Sequence, residues 1–360
     1  MRIRLIGKRN DLGIGIHYAN FADAIVKMQG IGDLVDEIDF TDHARVEQAI
    51  QDSRPGDINI SFLAANIHEF FKGYNIQWVV FESTRVPEHI MSVLRPADQV
   101  WVPSAWGRDI LIANGIPEQK ICVVPEGVNG HLFHTHLRTE WDQTRPFRFL
   151  SVGKYEQRKS FDETLLAFSQ TFGNTDGIEL VIKSNYFTNH EQKSQALQKK
   201  IKDLNLTNVT VLWGQMSVDQ IAELYRSCDA FVFPTKGEGW GLPLIEAAAS
   251  GLPIITVPYS GHTEFIQHMA SSVVGVGYVM TDIDCPEYQS YYPDINRNWG
   301  QWARPDIYSI SNAFQTVCRE YKTLYKNAQK NSTIIRNRFS WQNSVDLALV
   351  AIRSIAQIKP

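Results

Sequence analysis

In Phe231-Val-Phe-Pro-Thr-Lys-Gly-Glu-Gly-Trp-Gly-Leu-Pro-Leu-Ile-Glu246, an apolar run stops at Pro234, three glycines follow at alternate positions, and a second apolar run opens around Pro243. That order predicts a strand, a loop and a helix whose first turn tolerates proline. The N–H groups at such a helix start, with the helix dipole behind them, form an anion site suited to a diphosphate. Glycine at 239 and 241 lets the backbone approach a ligand with no Cβ in the way. Glu246 shares its helix with Leu242, Leu244, Ile245, Ala247, Ala248 and Ala249. A carboxylate on a buried face needs strong hydrogen-bond donors, and a ribose diol supplies two. The plainer alternative is an acid that only complements the helix dipole.

Outward from this block, short β-branched runs alternate with longer amphipathic segments, the pattern of parallel sheets with crossover helices. The second half predicts strands at 147–152, 178–182, 209–212, 230–233 and 253–256, with helices at about 161–170, 191–204, 218–227 and 242–250. The first half predicts a strand at 3–7, a glycine turn at Gly13 and Gly15, and a helix at about 17–28. Strands at 58–62, 78–81, 99–103 and 120–125 follow, with a helix at about 104–114. Both halves read as doubly wound α/β sheets, which bind ligands at the carboxyl ends of their strands. The expected organisation is a Rossmann-like domain over 1–130, a linker over 131–146 and a second Rossmann-like domain over 147–340, facing across a cleft. Helices over 308–331 precede a last helix at 341–358, and residues 341–360 are expected to pack back on the first domain.

Composition narrows the function. The 360 residues, 44% apolar and 21% charged, suffice for two domains of ordinary size. A net charge of -4 argues against a nucleic-acid partner. Residues 1–140 hold 13 Lys/Arg against 18 Asp/Glu, so at most peripheral membrane contact is expected. Cys122, Cys228, Cys285 and Cys318 lie far apart and read as reduced thiols, with Cys285 in a polar, exposed loop. The first residues read as a strand and not a secretory leader, and no apolar run approaches the ~18 residues of a spanning helix. The expected location is cytoplasmic. No metal is expected. His131, His134 and His136 lack a carboxylate or Cys partner at standard spacing, and Asp282-Ile-Asp284 lies in a late polar loop and not after an early strand.

Glu238 and Glu246, separated by seven residues in a Pro-x(n)-Glu-Gly-x-Gly-Leu frame, resemble the signature of retaining family 4 glycosyltransferases of the GT-B fold. Ser151-Val-Gly-Lys-Tyr-Glu-Gln-Arg-Lys159, followed by Ser160, is similar to that family's G-R-x(4)-K-G segment. Trp101-Val-Pro-Ser104, Pro125-Glu-Gly-Val-Asn-Gly-His-Leu-Phe133 and Ser260-Gly-His-Thr-Glu264 resemble its other motifs, and the matches run from about residue 99 to 265.

The resemblance implies transfer of a sugar, with retention, from a UDP- or GDP-linked donor to a hydroxyl of a glycan or lipid-linked acceptor, without metal or other cofactor. By that resemblance Glu238 contacts the donor sugar, Glu246 holds the ribose, and the amides of Gly239, Trp240, Gly241 and Leu242 cradle sugar and phosphate. Lys154, Arg158 and Lys159 face the diphosphate; Lys154 stands where the family has Arg and lacks its bidentate fork. Gly15, Gly153 and Gly214 complete the donor side, with the base near 214–217; Lys183 follows the 178–182 strand close to the same crevice, where a solvated surface lysine suits it equally. Glu82 stands where relatives carry an acceptor-side histidine, and an N-cap or ion-pair role suits it equally. A nicotinamide-dependent oxidoreductase would need G-x-G-x-x-G after a first strand, which neither half has. A nucleotide-sugar epimerase or hydrolase on the same fold remains the alternative.

Overall fold

The computed structural model describes residues 1–360 apart from 63–70, 137–138, 186–189, 286–287, 289–297 and 357–360. The chain forms two compact units: Met1–Gly127 with Pro286–Gly300 and Phe339–Pro360, and Val128–Cys285 with Gln301–Arg338.

The first unit is a parallel sheet with the strand order β2-β1-β3-β4-β5-β6. Its elements are β1 (Ile3–Gly7), α1 (Gly13–Val26), β2 (Val35–Asp39), α2 (His43–Asp52), β3 (Ile58–Phe62), β4 (Tyr74–Trp78), α3 (Glu88–Leu94), β5 (Gln99–Val102), α4 (Ala105–Ala113) and β6 (Ile121–Val123). Sequence reading missed β2, whose Val-Asp-Glu-Ile-Asp composition suits an edge strand and gives no apolar run. It also set β4 too late, at 78–81. The strand that pairs with β3 and β5 is the polar Tyr-Asn-Ile-Gln-Trp, while Val79 and Phe81 leave the sheet for the core beneath α3 and α4. The last helix, Trp341–Ala356, packs against α1. Where it begins, His17 is fully buried, T-shaped against Phe62 and Trp78 and stacked on Trp341 at 5.7 Å. Its Nδ1 lies 3.7 Å from buried Glu126, and neither ring nitrogen has a hydrogen-bond partner among the described residues. Burial lowers His17 to about 3 and raises Glu126 to about 8, so both are neutral at pH 7.

The second unit has the order β12-β11-β10-β7-β8-β9 and an antiparallel β13-β14 pair. In chain order it holds β7 (Phe147–Gly153), α5 (Phe161–Phe172), β8 (Ile178–Ser184), α6 (His190–Asp203), β9 (Val209–Trp213), α7 (Val218–Ser227), β10 (Ala230–Phe233), α8 (Leu242–Ala249), β11 (Ile254–Thr256), α9 (Thr263–Ile266), β12 (Val273–Gly275), β13 (Tyr278–Asp282) and β14 (Gln301–Pro305). The expected helices over 308–331 are one 32-residue helix, α10 (Ile307–Arg338). It buries Ile310, Phe314, Val317, Tyr321, Leu324, Ala328, Asn331 and Ile335 at alternating four- and three-residue steps, each large apolar side chain contributing about 1.5–3 kcal/mol. Phe133 and Trp141, in the stretch expected as a linker, are seated on this unit against Tyr225 and Phe147. Cys285, expected exposed, is buried; the four cysteines are free thiols. Among the described residues no helix is long and apolar enough to cross a membrane.

In this sheet the chain moves outward from β7 through β8 to β9, then returns to β10 on the other side of β7. The carboxyl ends of β7 and β10 therefore flank a topological switch point, the place where doubly wound sheets open a crevice for ligands.

Candidate active site

Two loops meet at that switch point. After β7 comes a single tight turn, Gln157–Lys159, closed by Ser160 in the left-handed conformation (φ 56°). After β10 comes the glycine loop that ends at α8. The loops are joined by backbone: Lys236 N–H donates to the Arg158 carbonyl at 2.8 Å. Arg158 Nη1 donates to the Gly237 carbonyl at 2.7 Å, and Glu156 accepts from Nη2 at 2.8 Å. Lys236 in turn pairs with Glu163 of α5 at 2.8 Å.

This joint presents two cations to one buried carboxylate. Lys159 Nζ lies 2.6 Å from Glu238 Oε1, Arg158 Nη1 2.9 Å from it, and the Thr235 hydroxyl donates to it at 2.7 Å. Burial alone would raise the Glu238 carboxyl, but the neighbouring Arg158 and Lys159 charges and the bonds from Lys159 and Thr235 outweigh it and hold it at about 2. Burial and the Arg158 charge pull the Lys159 amine below the ordinary lysine value against the opposing pull of Glu238. The glycine loop is also held from its far side. Glu238 N–H donates to the Ser260 hydroxyl at 2.9 Å, and Gly261 N–H donates to the Glu238 carbonyl at 2.8 Å. A Cβ on Gly261 would stand 1.8 Å from the Gly239 oxygen, so only glycine fits that turn. His262, fully buried, anchors it through Nε2 to the Val257 carbonyl at 2.7 Å.

Helix α8 starts from Gly241 at φ 96° with Pro243 in its first turn, and no side chain caps it. That leaves backbone N–H groups at the helix start to meet an anion. One turn on, Glu246 Oε2 lies 3.1 Å from the Tyr225 hydroxyl of α7. Burial of its carboxyl, against that one bond, lifts Glu246 to about 8. Two glutamates separated by seven residues are thus driven in opposite directions, Glu238 towards its anion and Glu246 towards its protonated form.

Gly153, Lys154, Arg158, Lys159, Lys183, Gly214, Glu238, Gly239, Gly241, Leu242 and Glu246 all belong to the second unit. Gly153 ends β7 beneath the Lys159 side chain, 3.7 Å from where a Cβ would stand. Lys183 Nζ donates to the Gly214 carbonyl. Trp240 turns inward against Phe265, ring centroids 5.0 Å apart. Gly15 and Glu82 belong to the first unit. Gly15 lies in the first turn of α1, where a Cβ would meet Asn10 at 2.3 Å; Glu82 lies half-buried in the loop between β4 and α3. Sequence reasoning missed Glu156, Tyr225 and Thr235 as site residues. Ser260 and His262 stood within a quoted motif but had no assigned task.

Residues 137–282 match the family model described as "Glycosyl transferases group 1". The chain is 25% identical over 236 residues to an uncharacterized glycosyltransferase of Methanocaldococcus jannaschii, covering 59% of this chain and 56% of that protein. It is 36% identical over 108 residues to a serotype-specific mannosyltransferase of Escherichia coli, covering 30% of this chain and 13% of that protein. The chain therefore spans about half the length of one relative and a small part of the other. Among solved structures, sucrose-phosphate synthase from Thermosynechococcus elongatus superposes with a TM-score of 0.71 at 16% identity, covering 99% of this chain and 100% of that one. Anabaena HepE in complex with UDP and glucose gives 0.69 at 13% identity over the same shares. At such identities the likeness shows the fold: two six-stranded parallel α/β sheets of the GT-B kind.

Proposed function

We propose, for a chain whose residues 137–282 belong to the group 1 glycosyl transferases, that it transfers a sugar from a nucleoside-diphosphate sugar to a hydroxyl acceptor with retention of anomeric configuration. The observation that carries this reading is the convergence of Lys159 and Arg158 on Glu238 beside the uncapped start of α8, with Glu246 one turn further along. A diphosphate at the helix start meets backbone N–H groups and two cations in place before the reaction begins. Lys154, just beyond β7, has no ion pair among the described residues and supplies a third. Glu246 accepts from the ribose hydroxyls, and the Glu238 carboxylate lies on the sugar side of the glycine loop.

In the transfer, the bond between the anomeric carbon and the diphosphate oxygen breaks and its electrons leave with the nucleoside diphosphate. The acceptor oxygen bonds to the same face of that carbon, and its proton passes to an oxygen of the departing phosphate. The protein's share is to neutralise the leaving charge, for which removing one preorganised donor typically costs about 3 kcal/mol. The reading needs no metal, because Lys159, Arg158, Lys154 and the helix start answer the charge. UDP-linked donors are favoured by analogy with HepE, whose structure holds UDP and glucose. A glycan or lipid-linked hydroxyl is the acceptor class, and the chain acts as a cytoplasmic enzyme.

A thermal-shift panel of UDP-, GDP- and ADP-sugars tests the binding half. A donor at 100 times its dissociation constant adds about 2.7 kcal/mol to stability, a visible shift in melting. No shift with any nucleotide sugar, together with unchanged behaviour of Glu246→Ala, rules the reading out.

A further inference from the structure

The stretch after Val128 gathers cations that the proposed reaction does not use. Residues 129–136 form a turn whose shape is fixed locally. Asn129 Oδ1 accepts from His131 N–H at 3.1 Å, and the Asn129 carbonyl accepts from Leu132 N–H at 3.1 Å and Phe133 N–H at 2.9 Å. The turn is seated on two helices of the second unit. Arg226, in the last turn of α7, donates through Nη1 to the Leu132 carbonyl at 3.1 Å. Arg336, in the last turn of α10, runs its side chain over Gly130, 3.4 Å from where a Cβ would stand. Thr135 lies beside Gly251, whose carbonyl accepts from Gln329 of α10 at 3.0 Å. His134 and His136 complete the group, their ring centroids 6.0 Å apart.

Positive charge here is close-set and poorly answered. Burial and the charges of Arg226, His136 and Arg336 pull His134 below the ordinary histidine value, against one backbone contact with His136. Arg226 pairs with Glu223, but that side chain is 69% exposed and answers little of the charge. Arg336 has no ion pair among the described residues. Its buried Nε has no hydrogen-bond partner there, and neither has the buried Nδ1 of His134. The dipoles at the carboxyl ends of α7 and α10 favour arginine in those turns, yet they give neither buried nitrogen an acceptor. Two guanidiniums beside the imidazoles repel a metal cation and attract an anion.

We propose that Arg336, His134 and Arg226 form a binding site for a phosphate-class anion, inorganic phosphate or a phosphate ester, separate from the donor site. Arg336 Nε and the Nη beside it present the fork that matches two phosphate oxygens. His134 Nδ1, in the tautomer that carries its proton there, gives a third donor. Arg226 supplies charge, its own N–H groups being taken by Leu132 and Glu223. None of these residues is among those assigned to the donor. The chain enters the second unit at Val128 and leaves it at Arg338. A bound anion therefore bridges the entering turn and the last turn of the departing helix, and stabilises this unit by mass action.

Calorimetric titration of the full chain with sodium phosphate, against sodium chloride at equal ionic strength, tests this in wild type, Arg336→Gln, Arg336→Lys, His134→Gln and Lys159→Met. Wild type is expected to bind phosphate and not chloride, and Arg336→Gln and His134→Gln to weaken phosphate at least ~10-fold. Arg336→Lys keeps the charge without the fork and is expected to lose about threefold or more. Lys159→Met keeps the phosphate affinity, and Arg336→Gln keeps the wild-type affinity for UDP. Vesicles of phosphatidylcholine with phosphatidic acid separate the two sources of the phosphate. Free phosphate bound with the vesicles passed over assigns a soluble ligand; vesicle retention that Arg336→Gln abolishes assigns a lipid headgroup. Wild type that binds neither, or chloride as well as phosphate, overturns the site. So does unchanged phosphate affinity in folded Arg336→Lys and His134→Gln. A loss confined to Lys159→Met, or a parallel loss of UDP in Arg336→Gln, places the anion in the donor site and overturns a separate one.

Discussion

Replacing Glu238 with Gln keeps the side chain's shape and removes its charge from between Arg158 and Lys159. The carboxyl is held at about 2 against an ordinary 4.5, a difference of roughly 2.5 units or about 3 kcal/mol of preference for the charged form in the folded state. Because the folded-state value is depressed, this stabilisation is complete above pH 4.5 and is lost as the pH falls from 4.5 towards 2. The variant leaves two buried cations facing a neutral amide, so at pH 7 it is less stable by about that amount. For a unit of roughly 200 residues each kcal/mol moves the melting point by about 2–4 °C, which gives a fall of roughly 6–12 °C. Scanning calorimetry of wild type and Glu238→Gln between pH 7 and pH 3.5 reads this directly. The gap between them is expected to be widest at pH 7 and to narrow below 4.5. A melting point within 2 °C of wild type at pH 7, or a gap that widens on acidification, refutes the claim that this ion cluster holds the glycine loop.

Two further pH effects follow from buried groups. Glu246, raised to about 8, must lose its proton to accept from a ribose diol. Affinity for UDP-glucose, whose diphosphate does not titrate in this range, is therefore expected to rise by up to ~10-fold per pH unit from 6 towards 8. Glu246→Gln flattens that rise, and titration calorimetry at four pH values distinguishes the two; a wild-type affinity independent of pH contradicts the ribose role. His17, lowered to about 3, binds a proton more readily unfolded than folded. Buried Glu126, raised to about 8, gains on acidification towards its ordinary 4.5 what His17 costs below 6.5, so wild type is expected to be nearly flat between pH 6.5 and 5 and His17→Phe to gain up to ~1.4 kcal/mol per unit as pH falls. Urea denaturation of both proteins at pH 7 and pH 5 decides it, equal slopes counting against a neutral buried imidazole.

The strand–loop–helix block was legible because every local signal there agrees: an apolar strand, a glycine at 241 where the backbone turns left-handed, and proline in the first helical turn. The second sheet was legible for the same reason, since most of its strands are near-continuous apolar runs. What stayed hidden has identifiable causes. β2 is an edge strand rich in acids, and β4 alternates polar residues that the sheet buries with bonds of their own, such as Asn75 to the Phe71 carbonyl. Within the site, the cations at 158 and 159 could be singled out, but their convergence on Glu238 spans 79 positions of chain. Thr235 and Tyr225 carry no signal at all: a hydroxyl in a loop and a tyrosine on an amphipathic helix become site residues only because the sheet returns β10 to the side of β7.

The most direct test of the central claim is to follow labelled sugar from UDP-glucose or GDP-mannose into product, in wild type and in Lys159→Met, and to determine the product's anomeric configuration by NMR. The account predicts that an acceptor hydroxyl takes the sugar with the donor's configuration kept, and that Lys159→Met lowers kcat at least ~100-fold while the fold persists. A product of inverted configuration, release of free sugar alone, or full activity in Lys159→Met would contradict it.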